Sequence, residues 1–96
     1  MPYTPVSVRN FGRIRKRLPF ALRTEVDRQV RVICEEPTLG ERKRSDLSGV
    51  FVHKFRLAGQ PYLLAYWIDE VEEVVTLLAL GGRENFYRDL KQYLKT

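Results

Sequence analysis

The segment VFVHKFRLAGQPYLLAYWIDEVEEVVTLLAL, residues 50–80, decides the fold because it contains three β-prone runs separated by two short turns. The first run, residues 50–57, has the two-residue period of a strand. The second, residues 62–68, is continuously apolar, as is typical of a central strand covered on both faces. The third, residues 74–80, follows an acidic turn. Short connections between consecutive strands predict a three-stranded antiparallel meander.

The first strand of the meander has two faces of different chemistry. Lys54 and Arg56 lie on one face. The other face is apolar apart from one histidine and consists of Phe51, His53, Phe55 and Leu57. Because an apolar sheet face must be covered by another layer, His53 is predicted to be a buried structural residue rather than a general base. Lys54 and Arg56 are predicted to stay on the open face.

The residues before the meander predict an edge strand followed by a helical hairpin. Pro5 removes a ladder donor from the β-prone residues 3–8, which places that strand at an edge. Asn10 is a candidate N-cap of the first helix, and Pro19 fits the first turn of the second. Apolar residues recur at helical spacing in both helices: Phe11, Ile14 and Leu18, then Leu22, Val26, Val30 and Ile33. These two stripes suit the apolar face of the meander.

The segment LALGGRENFYRDL, residues 78–90, ends the third strand at two glycines and begins a C-terminal helix. Arg83 is therefore expected at the rim of the sheet, with Tyr87 about one helical turn farther on. These groups are suited to bind a phosphodiester from several sides: two cations lie on an open strand face, an arginine lies at a neighbouring strand end, and a phenol lies nearby. The candidate catalytic residues are Lys54, Arg56, Arg83 and Tyr87. The predicted fold class is α+β.

The charge of the chain is unevenly distributed. Its 96 residues, predicted to form one domain (1–96), include 17 Lys and Arg against 12 Asp and Glu, a net charge of +5. No carboxylate precedes Glu25, and a second basic run follows Pro37. Gathered positive charge indicates an anionic partner. The candidate RNA-binding residues are Arg13, Arg15, Lys16, Arg17, Arg42, Lys43 and Arg44.

The remaining composition narrows the class of protein. A single cysteine, Cys34, can form neither an intramolecular disulfide nor a metal cluster, and one histidine with scattered carboxylates predicts no metal site and no cofactor. The N-terminus lacks the apolar core of a secretion signal, and no apolar run approaches the ~20 residues of a membrane span, so we expect a cytoplasmic protein. Cys34, Tyr66 and Trp67 are predicted to pack in the core.

Taken together, these residues resemble the RelE/ParE superfamily of toxins from type II toxin–antitoxin pairs, most closely its RelE-like mRNA interferase branch. The resemblance covers nearly the whole chain: a basic helical hairpin, then DLSGVFVHKFRLAGQPYLLAYWID, then LLALGGRENFYRDL. It implies a small α+β domain with a microbial-RNase-like sheet. It also implies a protein that enters the ribosomal A site and cuts mRNA there, by attack of a 2′-hydroxyl on the adjacent phosphate.

The resemblance assigns roles to individual residues. The family's basic pair on the second strand looks like Lys54 and Arg56, its late arginine like Arg83, and its C-terminal tyrosine like Tyr87. Proton transfer would then fall to Lys54 or Tyr87, because arginine hardly deprotonates. The family usually has a further arginine where this chain has Leu63, in PYLLAY. Leu63 is expected to face Lys54 and Arg56, so Leu63→Arg is predicted to raise cleavage by up to ~100-fold.

The implied partners are the ribosome, mRNA and a cognate acidic antitoxin that wraps the toxin in a hetero-oligomer; no membrane is involved. One alternative stays open, a ParE-like poison that disables DNA gyrase without chemistry of its own. A simple RNA-binding sheet is a weaker alternative, because the chain lacks the exposed aromatic pairs that stack bases on such sheets.

Overall fold

A computed structural model of the chain describes residues 2–95. Within that range a single mixed sheet of five strands is covered by three α-helices. The strands are β1 (Thr4–Ser7), β2 (Glu41–Arg42), β3 (Phe51–Leu57), β4 (Gln60–Asp69) and β5 (Val74–Gly82). The helices are α1 (Arg9–Lys16), α2 (Phe20–Glu35) and α3 (Phe86–Lys95). The predicted α+β fold, with its edge strand, helical hairpin, meander and C-terminal helix, is confirmed.

The sheet has the strand order β1-β5-β4-β3-β2. The meander β3-β4-β5 is antiparallel, and β1 lies at the edge, parallel to β5. The two-residue strand β2 was not predicted; it lies in the charged loop after α2, where Glu41 and Arg42 pair with Val52 and Phe51. This short strand brings the second basic run of the sequence to the outer edge of β3.

Two apolar cores lie on opposite faces of the sheet. As predicted, α1 and α2 cover the face of Phe51, Phe55 and Leu57, and the buried Cys34 belongs to this first core. Helix α3 packs on the other face through Phe86 and Leu90. The sheet residues beneath α3 include Val52, Leu63, Ala65, Leu78 and Ala79. The sheet face that carries Lys54 and Arg56 is therefore exposed to solvent only where α3 does not cover it.

A register shift between Ala65 and Tyr66 of β4 adds a residue to β5. In consequence Leu78 and Ala79 both lie in the core beneath α3, whereas Leu77 and Leu80 on either side of them lie in the core beneath the hairpin. A bulge of this kind bends the strand and strengthens its twist. The sequence did not reveal it, because every residue from Leu77 to Leu80 is apolar or small.

Three local predictions were wrong. Asn10 is not the N-cap of α1, because the cap residue is Val8. The Asn10 side-chain amide instead donates a hydrogen bond of 3.0 Å to the Leu78 carbonyl, one residue past the last pair of β1 and β5. Pro19 precedes the first turn of α2 as its cap residue. Trp67 is 42% exposed rather than buried, because it lies on the α3 face beyond the strand positions that α3 covers.

Other core predictions are confirmed. Tyr66 is fully buried; its hydroxyl donates to the Pro37 carbonyl and accepts the Gly40 N–H at 3.0 Å. These bonds tie the loop after α2 to the centre of the sheet and so hold β2 in place. None of the helices between residues 2 and 95 has the length and apolar character to cross a membrane.

Candidate active site

The register places Lys54 and Arg56, two of the four candidate catalytic residues, at one end of the sheet. Lys54 of β3 lies opposite Leu63 of β4, which in turn lies opposite Gly81 of β5. Arg56 lies opposite Pro61, one row nearer the β3-β4 turn than the row of Phe55 and Tyr62. This is the end at which β5 stops and the segment leading to α3 begins.

Arg83 follows the last residue of β5, Gly82, which pairs with Tyr62. It therefore leaves the sheet level with the row of Arg56 and two strands away, a backbone separation of roughly 10 Å. Both guanidinium groups are exposed. The Arg56 guanidinium donates a hydrogen bond of 2.6 Å to the Gly59 carbonyl in the turn between β3 and β4. Arg83, in contrast, forms no hydrogen bond or ion pair with any residue in the described range 2–95. Arg83 is thus free to contact a ligand.

A carboxylate that was not predicted lies between two lysines of this site. An oxygen of Glu41 is 3.1 Å from the Lys43 ammonium and 4.0 Å from the Lys54 ammonium. The hydrogen bond from Lys43, followed by the charges of Lys43 and Lys54, holds the pKa of Glu41 below its ordinary value of 4.5. Glu41 is therefore ionised at neutral pH. No sequence pattern marks it, because the pairing of β2 alone places it beside β3.

Lys43 connects this carboxylate to Tyr87. Its ammonium lies 4.9 Å from the centre of the Tyr87 ring, and only 21% of its side chain is exposed. Burial is the largest effect on the pKa of Lys43 and lowers it, but interactions with Tyr87 and Glu41 outweigh burial, so the pKa is raised. The Tyr87 ring also packs edge-on against Phe86 at 5.3 Å. Lys54, Glu41, Lys43 and Tyr87 thus form one connected cluster.

Leu63 does not line the cationic cluster as expected. It is opposite Lys54, as predicted, but it is only 3% exposed and belongs to the core beneath α3. The expectation of an open position was wrong because the sequence did not indicate which sheet face α3 covers.

The two basic segments of the chain lie apart. Helix α1 packs on β5 and β1, whereas Arg42 and the residues after it lie at the opposite edge of the sheet. Arg15 forms two hydrogen bonds with Asp27 of α2, at 2.8 and 2.7 Å, so it stabilises the hairpin. Arg13 donates to Asn10 at 3.1 Å. The exposed residues Lys16 and Arg17 complete the α1 group. Of the second group, Lys43 and Arg44 lie beside Tyr87, whereas Arg42 pairs with Phe51 and lines a separate cavity with Trp67.

His53 is buried, as predicted, and lies away from this cluster. It is 9% exposed in the face beneath α2, and its Nε2 lies 2.8 Å from the side-chain oxygen of Gln29. The Gln29 amide nitrogen donates to Glu25 at 2.8 Å, so Nε2 of His53 must carry the proton that Gln29 accepts. Burial lowers the pKa of His53. A neutral imidazole directed into the core makes no contact with a ligand at the other face.

The fold and this cluster describe a small basic α+β domain, in which cations, a phenol and a carboxylate are gathered where the strands of an antiparallel meander end. Between residues 2 and 95, no group of three His, Cys, Asp or Glu side chains is arranged to hold a metal ion.

The chain belongs to the ParE-like toxins of type II bacterial toxin–antitoxin systems: residues 6–91 match the sequence model of that family. Among solved structures, it is similar to a chain of the Mycobacterium tuberculosis RelBE2 toxin–antitoxin complex, with 26% identity, a TM-score of 0.76 and coverage of 86% of this chain and 100% of that one.

Two further structures share the fold at lower identity. A mutant of the Escherichia coli toxin RelE in the free state has 18% identity and a TM-score of 0.76, with coverage of 98% of this chain and 99% of that one. The archaeal RelE–RelB complex of Pyrococcus horikoshii has 18% identity and a TM-score of 0.62, with coverage of 88% and 98%. No curated protein sequence matches the chain.

Proposed function

We propose that this toxin is a metal-independent endoribonuclease that cuts mRNA in the ribosomal A site and so inhibits translation. The observation that carries the proposal is the connected cluster of Lys54, Glu41, Lys43 and Tyr87, with Arg56 and Arg83 at the same end of the sheet. In this cluster a carboxylate that can accept a proton lies within 4.0 Å of two ammonium groups, one of which faces a phenol ring.

The reaction that suits these groups is transesterification within RNA. The 2′-oxygen of a nucleotide attacks the adjacent phosphorus, the P–O2′ bond forms, the P–O5′ bond breaks, and the products are a 2′,3′-cyclic phosphate and a free 5′-hydroxyl. Negative charge grows on the phosphoryl oxygens in the transition state. Lys54, Arg56 and Arg83 would stabilise that charge more strongly than the charge of the ground state, which is what accelerates a reaction.

Glu41 supplies a proton acceptor that the sequence did not suggest. It is ionised at neutral pH because its pKa is lowered, and it lies beside Lys54, where the reacting phosphate would bind. In our proposal Glu41 accepts the proton of the 2′-hydroxyl, and the proton donors for the leaving 5′-oxygen are Tyr87 and the neighbouring ammonium groups.

The ribosome is the proposed source of orientation. Arg56, Arg83 and Lys54 are all exposed to solvent. Holding the 2′-oxygen, the phosphorus and the leaving oxygen in line accounts for much of the rate of such reactions. An open cationic surface cannot do this for a flexible strand, whereas an mRNA held in the A site is already ordered.

The proposed partner in the resting state is an acidic antitoxin. Several of the similar structures are toxin–antitoxin complexes. The chain's net charge of +5 and its exposed arginines suit an acidic segment that would neutralise the site.

The second candidate function, a DNA gyrase poison, is favoured by two observations. The matching family is described as ParE-like, and a buried leucine, Leu63, stands where the resemblance implied a further arginine. A translating extract separates the two functions: primer extension is expected to detect mRNA cuts within ribosome-bound codons, with naked RNA intact. Intact mRNA together with trapped gyrase–DNA adducts would favour the poison.

A further inference from the structure

Two cavities adjoin at the Glu41–Lys43 ion pair. The first, of about 310 Å³, is lined by Glu41 and Lys54 and belongs to the catalytic cluster. The second cavity, of about 380 Å³, is lined by Lys43 and Tyr87 of the cluster. It is also lined by residues outside the cluster, among them Arg44, Ser45, Asp46 and Lys91. Lys43 of the second cavity contacts Glu41 of the first at 3.1 Å and faces the Tyr87 ring at 4.9 Å, so this ion pair lies between the two cavities.

The second cavity is predominantly cationic. Lys43, Arg44 and Lys91 outnumber its one carboxylate, Asp46. The Lys91 ammonium is 3.6 Å from Asp46, but 47% of the Lys91 side chain and 64% of the Asp46 side chain are exposed. An ion pair this exposed is weak, so Lys91 can exchange Asp46 for a phosphate at little cost.

The loop that carries Arg44 has an unusual backbone. Ser45 has a positive φ of 60°, a conformation that a residue with a side chain holds only when its surroundings impose it. This residue begins the short 3-10 turn Ser45–Leu47, and Leu47 is anchored in the core beneath α3. The loop therefore presents Arg44 and Ser45 at a defined place beside Lys91.

We propose that this second cavity is a subsite for the phosphodiester next to the reacting one, so that a single RNA strand runs past Tyr87 from Lys54 to Lys91. The subsite rests on the proposed function, because it takes the cavity of Lys54 and Glu41 as the place of the reacting phosphate. Lys43 and Tyr87 line the second cavity and also belong to the cluster of Lys54 and Glu41, and this adjacency to the reacting position favours RNA over an acidic protein segment.

The test measures binding of a fluorescently labelled 2′-O-methyl pentaribonucleotide, which cannot be cleaved because it lacks free 2′-hydroxyls. Lys91→Met is compared with Lys95→Met, the same change one helical turn farther along α3 and outside the cavity. At 50 mM salt, Lys91→Met is expected to weaken binding roughly 5- to 10-fold and to reduce the slope of log K against log salt by ~0.7. Lys95→Met is expected to change neither quantity.

Equal binding by the two variants, or no binding by the parent chain, overturns the subsite. So does a Lys91→Met protein that keeps its affinity for the oligonucleotide but loses affinity for a polyglutamate-rich peptide, which would identify an acidic protein segment as the occupant. Failure of the nuclease gives a different result: binding to the oligonucleotide depends on Lys91, but mRNA on ribosomes is not cut.

Discussion

Lys54 and Leu63 are directly opposed across β3 and β4, yet Lys54 is exposed and Leu63 is 3% exposed in the core beneath α3. The boundary between the cationic cluster and the second core therefore passes between two neighbouring side chains of one sheet face. Tyr87, in the first turn of α3, lies at this boundary and contacts both the buried Phe86 and the cationic Lys43. The position of α3 thus decides which residues of the face are available for chemistry.

Leu63→Arg is expected to destabilise the protein. It removes a buried leucine, and Leu→Ala changes alone cost about 2–5 kcal/mol; it also places a guanidinium in an apolar site. Urea unfolding should give a free energy lower by at least about 2 kcal/mol, whereas Leu63→Met, which conserves volume, should cost less than about 1.5 kcal/mol. An unchanged Leu63→Arg midpoint with faster cleavage would restore the prediction made from the sequence, that this position accepts a catalytic arginine.

Arg83→Ala is expected to abolish toxicity and leave stability unchanged. Arg83 is exposed and has no partner within residues 2–95, so its removal opens no cavity. Loss of one preorganised donor typically lowers a rate by ~100- to 1000-fold. Arg88→Ala is the control, because Arg88 is also exposed, at 71%, and lies on α3. A melting temperature that falls together with activity in Arg83→Ala would make Arg83 a structural residue.

Glu41→Gln tests the proposed proton acceptor. Its single-turnover cleavage rate should fall by ~100- to 10,000-fold, the usual contribution of general base catalysis. Because the pKa of Glu41 is lowered from 4.5, the parent rate should not depend on Glu41 ionisation between pH 6 and 8. Glu72→Gln, in the exposed turn before β5, makes the same chemical change away from the cluster. Equal rates for the two variants would leave proton transfer to Lys54 or Tyr87.

The stability of the fold should fall as the pH is lowered through about 6.5. Burial lowers the pKa of His53 below its ordinary value of 6.5, so in this window the unfolded chain binds a proton that the native protein does not. Stability is therefore fully present above 6.5 and declines toward the native pKa. The lowered pKa values of Glu25 and Asp27 act only below about 4.5. Urea unfolding between pH 5 and 7.5 should show this slope, and His53→Gln should lack most of it.

The predictable part of the fold was the part written in periodic patterns. Alternation along β3 separated Lys54 and Arg56 from the core, and helical spacing identified the hairpin. Periodicity gave no prediction where apolar and polar residues do not alternate along the sequence. Strand β2 is two residues long in a charged loop, and the bulge at Leu78 lies in a run of apolar residues that hides a shift of register.

The site was only partly predictable for the same reason. Arg83 and Tyr87 are marked by their place after a strand end, and both lie where that place indicates. Glu41 and Lys43 enter the cluster through the pairing of β2, and Leu63 leaves it through the packing of α3. Both events are contacts between separate segments of the chain, which a local pattern does not record.

The most direct test of the account is cleavage of mRNA on purified ribosomes programmed with a defined, empty A-site codon. The purified toxin is expected to cut within that codon and leave a 2′,3′-cyclic phosphate and a 5′-hydroxyl, without added metal beyond that which the ribosome requires. The same mRNA free in solution should remain intact, and Arg83→Ala should cut at least ~100-fold more slowly. A folded toxin that leaves the A-site codon uncut would contradict the account.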